Sequence, residues 1–203
     1  MIPFDQRAIR GLGTKANENF TMKLTTPFLQ LPVEMSADRL ADEVRALPDD
    51  AYLPHGQGFE GNEAVPLITP DGALTNAFDG PMAPTKHLLA SPYMMEVLSG
   101  LGAICGRARL MALDPGADVP GHVDIHYYWR THFRVHIPVI TNPGVIFTCG
   151  DEQVHMKAGE CWIPDTFQRH TVHNGGTERR IHLVMDTVGG EGFWELMRAA
   201  QAG

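Results

Sequence analysis

The sequence predicts a mainly β protein with flanking helices, organised as a two-sheet jelly-roll barrel of the cupin kind. Three observations carry this. From Arg107 onward, short runs rich in β-branched and aromatic residues replace the helical spacing seen earlier in the chain. Turn signals divide those runs at short intervals: Asp114-Pro115-Gly116, Asn142-Pro143-Gly144, Gly150-Asp151, Ala158-Gly159 and Gly175-Gly176. Seven or eight short strands at such spacing make a sandwich or a barrel. Finally, Arg134-Val135-His136 and Arg180-Ile181-His182 alternate polar and apolar residues, so each strand presents a polar face opposite an apolar one.

Before Arg107 the elements are sparser. Residues 1 to about 19 carry no period. Phe20, Met22 and Leu24 alternate with Thr21, Lys23 and Thr25, which predicts a half-buried strand. Ser36 is placed as an N-cap, Asp38 lies in the first turn, and Leu40, Val44 and Leu47 follow at helical spacing until Pro48. Residues 49–86 are rich in Gly, Pro, Asp and Asn and read as loops around one short strand near Ala64–Ile68. Gly56-Gln57-Gly58-Phe59-Glu60-Gly61 spells a dinucleotide-binding fingerprint, but no apolar strand precedes it and Pro66 stands where its helix should run. Ser91-Pro92 opens a second helix with Met94, Met95, Val97, Leu98 and Leu101 on its apolar face. The barrel strands are expected at Arg109–Leu113, Val119–Tyr127, Phe133–Ile140, Val145–Thr148, Gln153–Met156, Cys161–Ile163, Thr171–Val172 and Arg180–Met185. Phe193, Trp194, Leu196 and Met197 fit a terminal amphipathic helix. With no repeat and no linker, residues 1–203 are expected to form one domain, 1–106 supplying helices and loops that pack on a barrel core at 107–188.

The bulk numbers narrow the function. A chain of 203 residues with 43% hydrophobic and 20% charged residues folds as an ordinary globular domain. The formal net charge of −8 and the lack of a basic run argue against nucleic acid and anionic membrane surfaces. No apolar window of membrane-spanning length and no leader pattern occur. Cys105, Cys149 and Cys161 are widely spaced and form no CxxC pair, so buried free thiols in a cytoplasmic protein are expected.

Eight of the ten histidines fall between His122 and His182. In a strand, residues two apart share a face, so His122 and Asp124 converge on one point. His170 arrives from a later strand. Two histidines and a carboxylate occupy one face of an octahedral metal and leave the other open, which suits Fe(II) that must also bind a co-substrate and O2. His126 shares the face of Asp124 and competes as a ligand; His173 competes with His170 from the opposite strand parity. Arg180 and His182 share one face of the last strand, and Arg134 with His136 repeats the pattern. A charged face inside a barrel is costly unless an anion meets it. A dicarboxylate would do so, one end on the metal and the other held by a guanidinium fork.

Phe133-Arg134-Val135-His136-Ile137-Pro138, Val154-His155-Met156 with Ala158-Gly159-Glu160-Cys161-Trp162, His170–Asn174 and Arg180–Asp186 together resemble the aspartyl/asparaginyl β-hydroxylase family. The likeness covers roughly residues 64–186. Pro84-Thr85-Lys86-His87 and Pro92-Tyr93 are similar to the bacterial free-proline hydroxylases of that family. The resemblance implies a double-stranded β-helix and an Fe(II)- and 2-oxoglutarate-dependent dioxygenase. It implies hydroxylation of an unactivated C–H with succinate and CO2 as co-products. His122 and His170 would ligate iron, Arg180 would bind the distal carboxylate of 2-oxoglutarate, and Arg134 and His136 would sit near its metal-chelating end. Animal peptide-hydroxylating members lack a carboxylate at the position of Asp124 and bacterial amino-acid hydroxylases have one. This favours a full triad and a small amino-acid-like substrate. A cupin-type isomerase or hydrolase without 2-oxoglutarate, and a non-enzymatic metal-sensing barrel, are the competing readings. Tyr127, Tyr128, Trp129 and Arg109 lie near the expected mouth and are assigned to packing. A monomer and a homodimer are equally compatible with the sequence.

Overall fold

The computed structural model describes residues 24–54, 59–124 and 131–202. Two antiparallel sheets face each other. The major sheet runs β1 (Phe28–Glu34), β10 (Glu160–Pro164), β7 (Phe133–Ile140), β12 (Arg180–Thr187), β5 (Cys105–Leu113), β3 (Asn62–Pro70) and β2 (Leu53–Pro54), with β4 (Met82–Pro84) also pairing to β3. The minor sheet is β6 (Asp118–His122), β11 (His170–Asn174), β8 (Val145–Cys149) and β9 (Glu152–Val154). Eight strands between Cys105 and Thr187 close the jelly roll anticipated from the turn spacing, so the fold class holds.

The helices cover the outside of the major sheet. The first, α1 (Ala37–Arg45), begins at Ser36, whose hydroxyl accepts the Arg39 amide, and Leu40 and Val44 are buried on its inner face. A four-residue helix, α2 (Lys86–Leu89), precedes α3 (Pro92–Gly100). Ser91 does not cap α3; its hydroxyl donates to the His87 carbonyl. The Glu43 carboxylate of α1 instead accepts the Tyr93 and Met94 amides at 2.7 and 2.8 Å. The last helix, α4 (Glu191–Ala202), packs on β1 with Phe193 and Met197 buried.

All eight residues of β12 are buried because the sheet is covered on both faces. Ile181, Leu183 and Met185 face outward beside Ala112, Leu110 and Ala108 of β5 and meet the helices in one apolar core. A fully buried leucine such as Leu183 contributes about 1.5–3 kcal/mol. The alternate row faces the barrel interior: Arg180, His182, Val184 and Asp186. It lies beside Leu113, Met111 and Arg109 on β5 and Pro138, His136 and Arg134 on β7. Across the barrel a second, smaller cluster (Phe28, Leu113, Val145, Phe147, Cys149, Met156 and Val172) joins the two sheets at one end.

The first 106 residues contribute more than helices and loops, since β1 to β4 extend the major sheet. Proline explains why pattern reading underestimates them. Pro32 sits in β1, an edge strand where a missing amide is tolerated, and Pro66 sits in β3 at a register shift against β5. The anticipated strand around Phe20–Thr25 lies outside the described residues except for its end, where Leu24 is buried without being in a strand. Gly56, Gly58, His126, Tyr127, Tyr128 and Trp129 also lie outside them.

Candidate metal centre and anion pocket

His122 ends β6 and pairs across the ladder with His170, the first residue of β11. Their rings lie 4.2 Å apart, centroid to centroid. Asp124 stands just past β6, where its amide donates to the Thr166 carbonyl at 3.0 Å. One ligand-type atom from each of His122, Asp124 and His170 lies within 4.8 Å of the others, the one such group of three among the described residues. The imidazoles are preset. His122 Nδ1 is 2.9 Å from the Pro120 carbonyl and His170 Nδ1 is 3.0 Å from the Gln168 carbonyl. A carbonyl only accepts, so both Nδ1 atoms carry the proton and both Nε2 atoms keep a lone pair. His122 Nε2 lies 3.7 Å from Asp124 Oδ1.

The electrostatics keep this set in ligand form. Burial above all holds the His170 imidazole below its ordinary pKa, so it stays neutral. Burial pushes Asp124 upward, but Arg134, His170, His122 and the Thr166 hydroxyl outweigh it, so the carboxyl titrates below its usual range. His170 stacks on Phe147 at 5.9 Å, which fixes the ring plane. Two imidazoles whose Nδ1 atoms are committed to backbone carbonyls and one carboxylate suit a divalent first-row metal with open positions.

Deeper on the inner wall lies a different cluster. Arg180 is 4% exposed, yet among the described residues no carboxylate pairs with it. Its Nη2 donates to His182 Nδ1 at 2.8 Å, which leaves the His182 proton on Nε2. Among the described residues Arg180 Nε and His182 Nε2 are then two buried donors without an acceptor, and His136 Nε2 is a third buried nitrogen with no partner. His136 Nδ1 lies 3.4 Å from His182 Nδ1, and Phe147 packs edge-on against the His136 ring. Burial pushes Arg180 down to about 9 and holds His136 and His182 well below ordinary histidine values, Arg180 adding to the effect on both. Such a pocket fits an anion whose oxygens accept those hydrogens, as a carboxylate does.

Arg134 is on the inner face as expected, but its partners are protein carboxylates. Its Nη1 donates to Asp124 Oδ2 at 3.1 Å and its Nε to Asp186 Oδ1 at 3.0 Å. Arg107 Nε lies 3.5 Å from Asp186 Oδ2. Arg109, assigned to packing from sequence, is buried in the same wall and feels Asp186 and Asp124. Neither Asp186 nor Arg107 was singled out from the sequence. The signal was present in strand parity, because Asp186 continues the Arg180–His182–Val184 row. His173 points outward and pairs with Asp118, 2.8 Å away. His155 donates through Nδ1 to the Val145 carbonyl, 3.0 Å away, and stands apart from the triad.

A jelly-roll barrel with a His-Asp-His cluster at one end and a buried cationic pocket behind it defines the class of protein. The model of the aspartyl/asparaginyl β-hydroxylase family matches residues 77–189, more than half of the chain, and the chain belongs to that family. It is 26% identical over 168 residues to L-proline cis-3-hydroxylase 1 from a Streptomyces species. That match takes in 76% of this chain and 57% of the relative, so the chain spans little more than half the relative's length. Among solved structures, the fold is similar to a 2OG-Fe(II) oxygenase family oxidoreductase from Burkholderia pseudomallei, with TM-score 0.58 and 14% identity over 82% of this chain and 87% of that one. It is also similar to HygX from Streptomyces hygroscopicus, a structure with nickel and 2-oxoglutarate bound, with TM-score 0.53 and 11% identity over 82% and 84% of the two chains. At these identities the structural likenesses concern the fold. Among the described residues no helix is long and apolar enough to cross a membrane.

Proposed function

We propose that this protein is an Fe(II)- and 2-oxoglutarate-dependent hydroxylase acting on a free amino acid or an amino-acid-like side chain, and that the chain forms one domain. The observation that carries the reading is Arg180: a guanidinium buried with no carboxylate partner among the described residues, behind a preset His-Asp-His cluster. Family membership and the likeness to a proline hydroxylase support it. When bound, Fe(II), 2-oxoglutarate and O2 supply the oxidising power for inserting oxygen into an unactivated C–H, with succinate and CO2 as co-products.

The chain's own residues supply placement and exclusion of water. His122 and His170 offer Nε2 lone pairs because backbone carbonyls hold their Nδ1 protons. Asp124 offers Oδ1 because Arg134 holds Oδ2. Arg180 and His182 offer hydrogens to the distal carboxylate of the co-substrate, and His136 lines the wall on the same inner face as Arg134. Phe147 and Val172 close that end of the barrel to water. Leaving three metal positions open suits a chelating co-substrate and a gas. Continuity of the major sheet from β1 to β12 supports a single domain.

The test is anaerobic titration of the Fe(II)-loaded protein with 2-oxoglutarate, following the visible charge-transfer band, together with succinate formation against a panel of free amino acids that includes L-proline. A band that Arg180→Ala removes, and substrate-stimulated succinate that Asp124→Ala abolishes, are the expected results. Iron bound without any band would point instead to a cupin-type isomerase, a hydrolase or a metal-sensing barrel.

A further inference from the structure

Arg134 offers its guanidinium to two acids at once, and one of them is in the metal cluster. Nη1 donates to Asp124 Oδ2 at 3.1 Å, while Nε donates to Asp186 Oδ1 at 3.0 Å. Asp186 is 1% exposed and also faces Arg107 Nε at 3.5 Å. Adjacent strands fix the geometry, since Asp186 of β12 stands directly opposite Arg134 of β7 in the ladder. The chain of groups therefore runs Asp124–Arg134–Asp186–Arg107, all on the inner wall.

From this we infer that Arg134 is a positioning residue of the metal centre, and that Asp186, which belongs to no ligand cluster among the described residues, positions Arg134. The inference rests on the metal-centre reading above. Two physical consequences follow. With Oδ2 committed to Arg134, Asp124 presents Oδ1 alone, and that is the oxygen nearer His122 Nε2. The carboxylate is then a one-oxygen ligand, which preserves open positions on the cation. The role also needs a fork. A guanidinium donates in two directions from one rigid plane, whereas an ammonium is a compact point charge on a flexible stem and cannot hold both acids in the same way.

A purely electrostatic view predicts the opposite sign. Arg134 is a cation close to the site of a dication, so removing it would tighten metal binding if charge alone counted. Orientation predicts weakening, because partners that aim a ligand typically matter about 10–100-fold in metal affinity.

The probe is Co(II) alone, added to the full chain without 2-oxoglutarate, with affinity read by calorimetry and geometry by the visible d–d bands. Arg134→Gln is expected to weaken Co(II) binding about 10–100-fold and change the band shape. Arg134→Lys should recover part of the affinity. Asp186→Asn should weaken binding in the same direction, and the double variant should bind no worse than Arg134→Gln, because both substitutions break one chain. Equal or tighter binding by folded Arg134→Gln overturns the inference, and so do additive effects in the double variant. If Arg134→Gln does not fold, unchanged Co(II) affinity in folded Asp186→Asn overturns it equally. A wild-type protein whose Co(II) binding ignores His170→Ala would remove the metal centre itself, and both readings would fall together.

Discussion

Two of the guanidinium groups on the inner wall, those of Arg134 and Arg180, differ in one respect. Arg134 is balanced by protein, with Asp124 on one side and Asp186 on the other. Among the described residues Arg180, on the neighbouring strand, has only the neutral His182 and a stranded Nε. Arg180 is buried and Arg134, with a side chain 13% exposed, is mostly withdrawn from water, so both carry a desolvation cost. A protein that satisfies one such group internally and leaves the other open has assigned them different work. On the function proposed above, the satisfied arginine is architecture and the open one would receive the co-substrate carboxylate.

That contrast predicts opposite responses to the same chemical change. Arg134→Met leaves Asp124 and Asp186 without their shared partner, and should lower the unfolding free energy of ligand-free protein by about 3–5 kcal/mol. In a domain of this size that is a fall in Tm of about 6–20 °C. Arg180→Ala should weaken 2-oxoglutarate binding by about 2–5 kcal/mol, the usual effect of removing one member of a buried charge pair. That is roughly 30- to several-thousand-fold in Kd, measurable by calorimetry. Arg180→Met in the absence of ligand should raise stability by about 1–3 kcal/mol, since it removes buried donors that lack acceptors. A fall in Tm for Arg180→Met comparable to that for Arg134→Met would erase the distinction and mean that Arg180 has an internal partner.

The buried histidines and the Asp124 carboxyl also separate by pH. His136 and His182 are held well below ordinary histidine values, chiefly by burial and then by neighbouring cations. In the unfolded chain they protonate below about pH 6.5, while in the fold they remain neutral. The unfolded state then binds more protons, so stability falls as pH drops below about 6.5, by about 1.4 kcal/mol per pH unit for each histidine. Asp124 is depressed from its ordinary carboxyl value, so its contribution is present above about pH 4 and is lost only below it. Urea unfolding of ligand-free protein at pH 7.5 and 5.5 therefore reports the histidines held low by burial, His170 and His87 as well as the two of the anion pocket, and not the Asp124 carboxyl. His182→Asn should flatten that slope, and a slope unchanged in the variant would place the protonation elsewhere.

Much of this arrangement was legible in the sequence, and the exceptions have physical causes. The strands β7, β8 and β12 were placed within a residue or two because turns bound them and alternation gives their faces. His122, Asp124 and His170 converge as expected, although Asp124 does so from beyond the strand end, held by the Thr166 carbonyl and not by strand parity. Proline hid β1, an edge strand that tolerates a residue a central ladder excludes, while β3 was anticipated only over Ala64–Ile68 of its Asn62–Pro70 span. The pairing of Arg134 with Asp186 was out of reach for another reason. Parity says that both point inward, but which strands lie side by side is a long-range property that no local pattern encodes. Without it, an inward arginine looks open to a ligand whether or not an acid stands across the ladder.

The smallest predicted effect guards the ligand assignment. His173 is three residues from His170 on β11, so strand parity turns it to the opposite face, where it pairs with Asp118. The two side chains remain about half and two-thirds exposed, so solvent screens the pair. His173→Ala should change stability by less than about 1 kcal/mol and leave metal affinity untouched. Because a one-residue slip of β11 would swap its faces, a loss of metal binding in this variant would mean that β11 pairs with β6 and β8 in another register. His170 would then leave the barrel interior, and the contrast between Arg134 and Arg180 would lose the metal centre that gives it meaning.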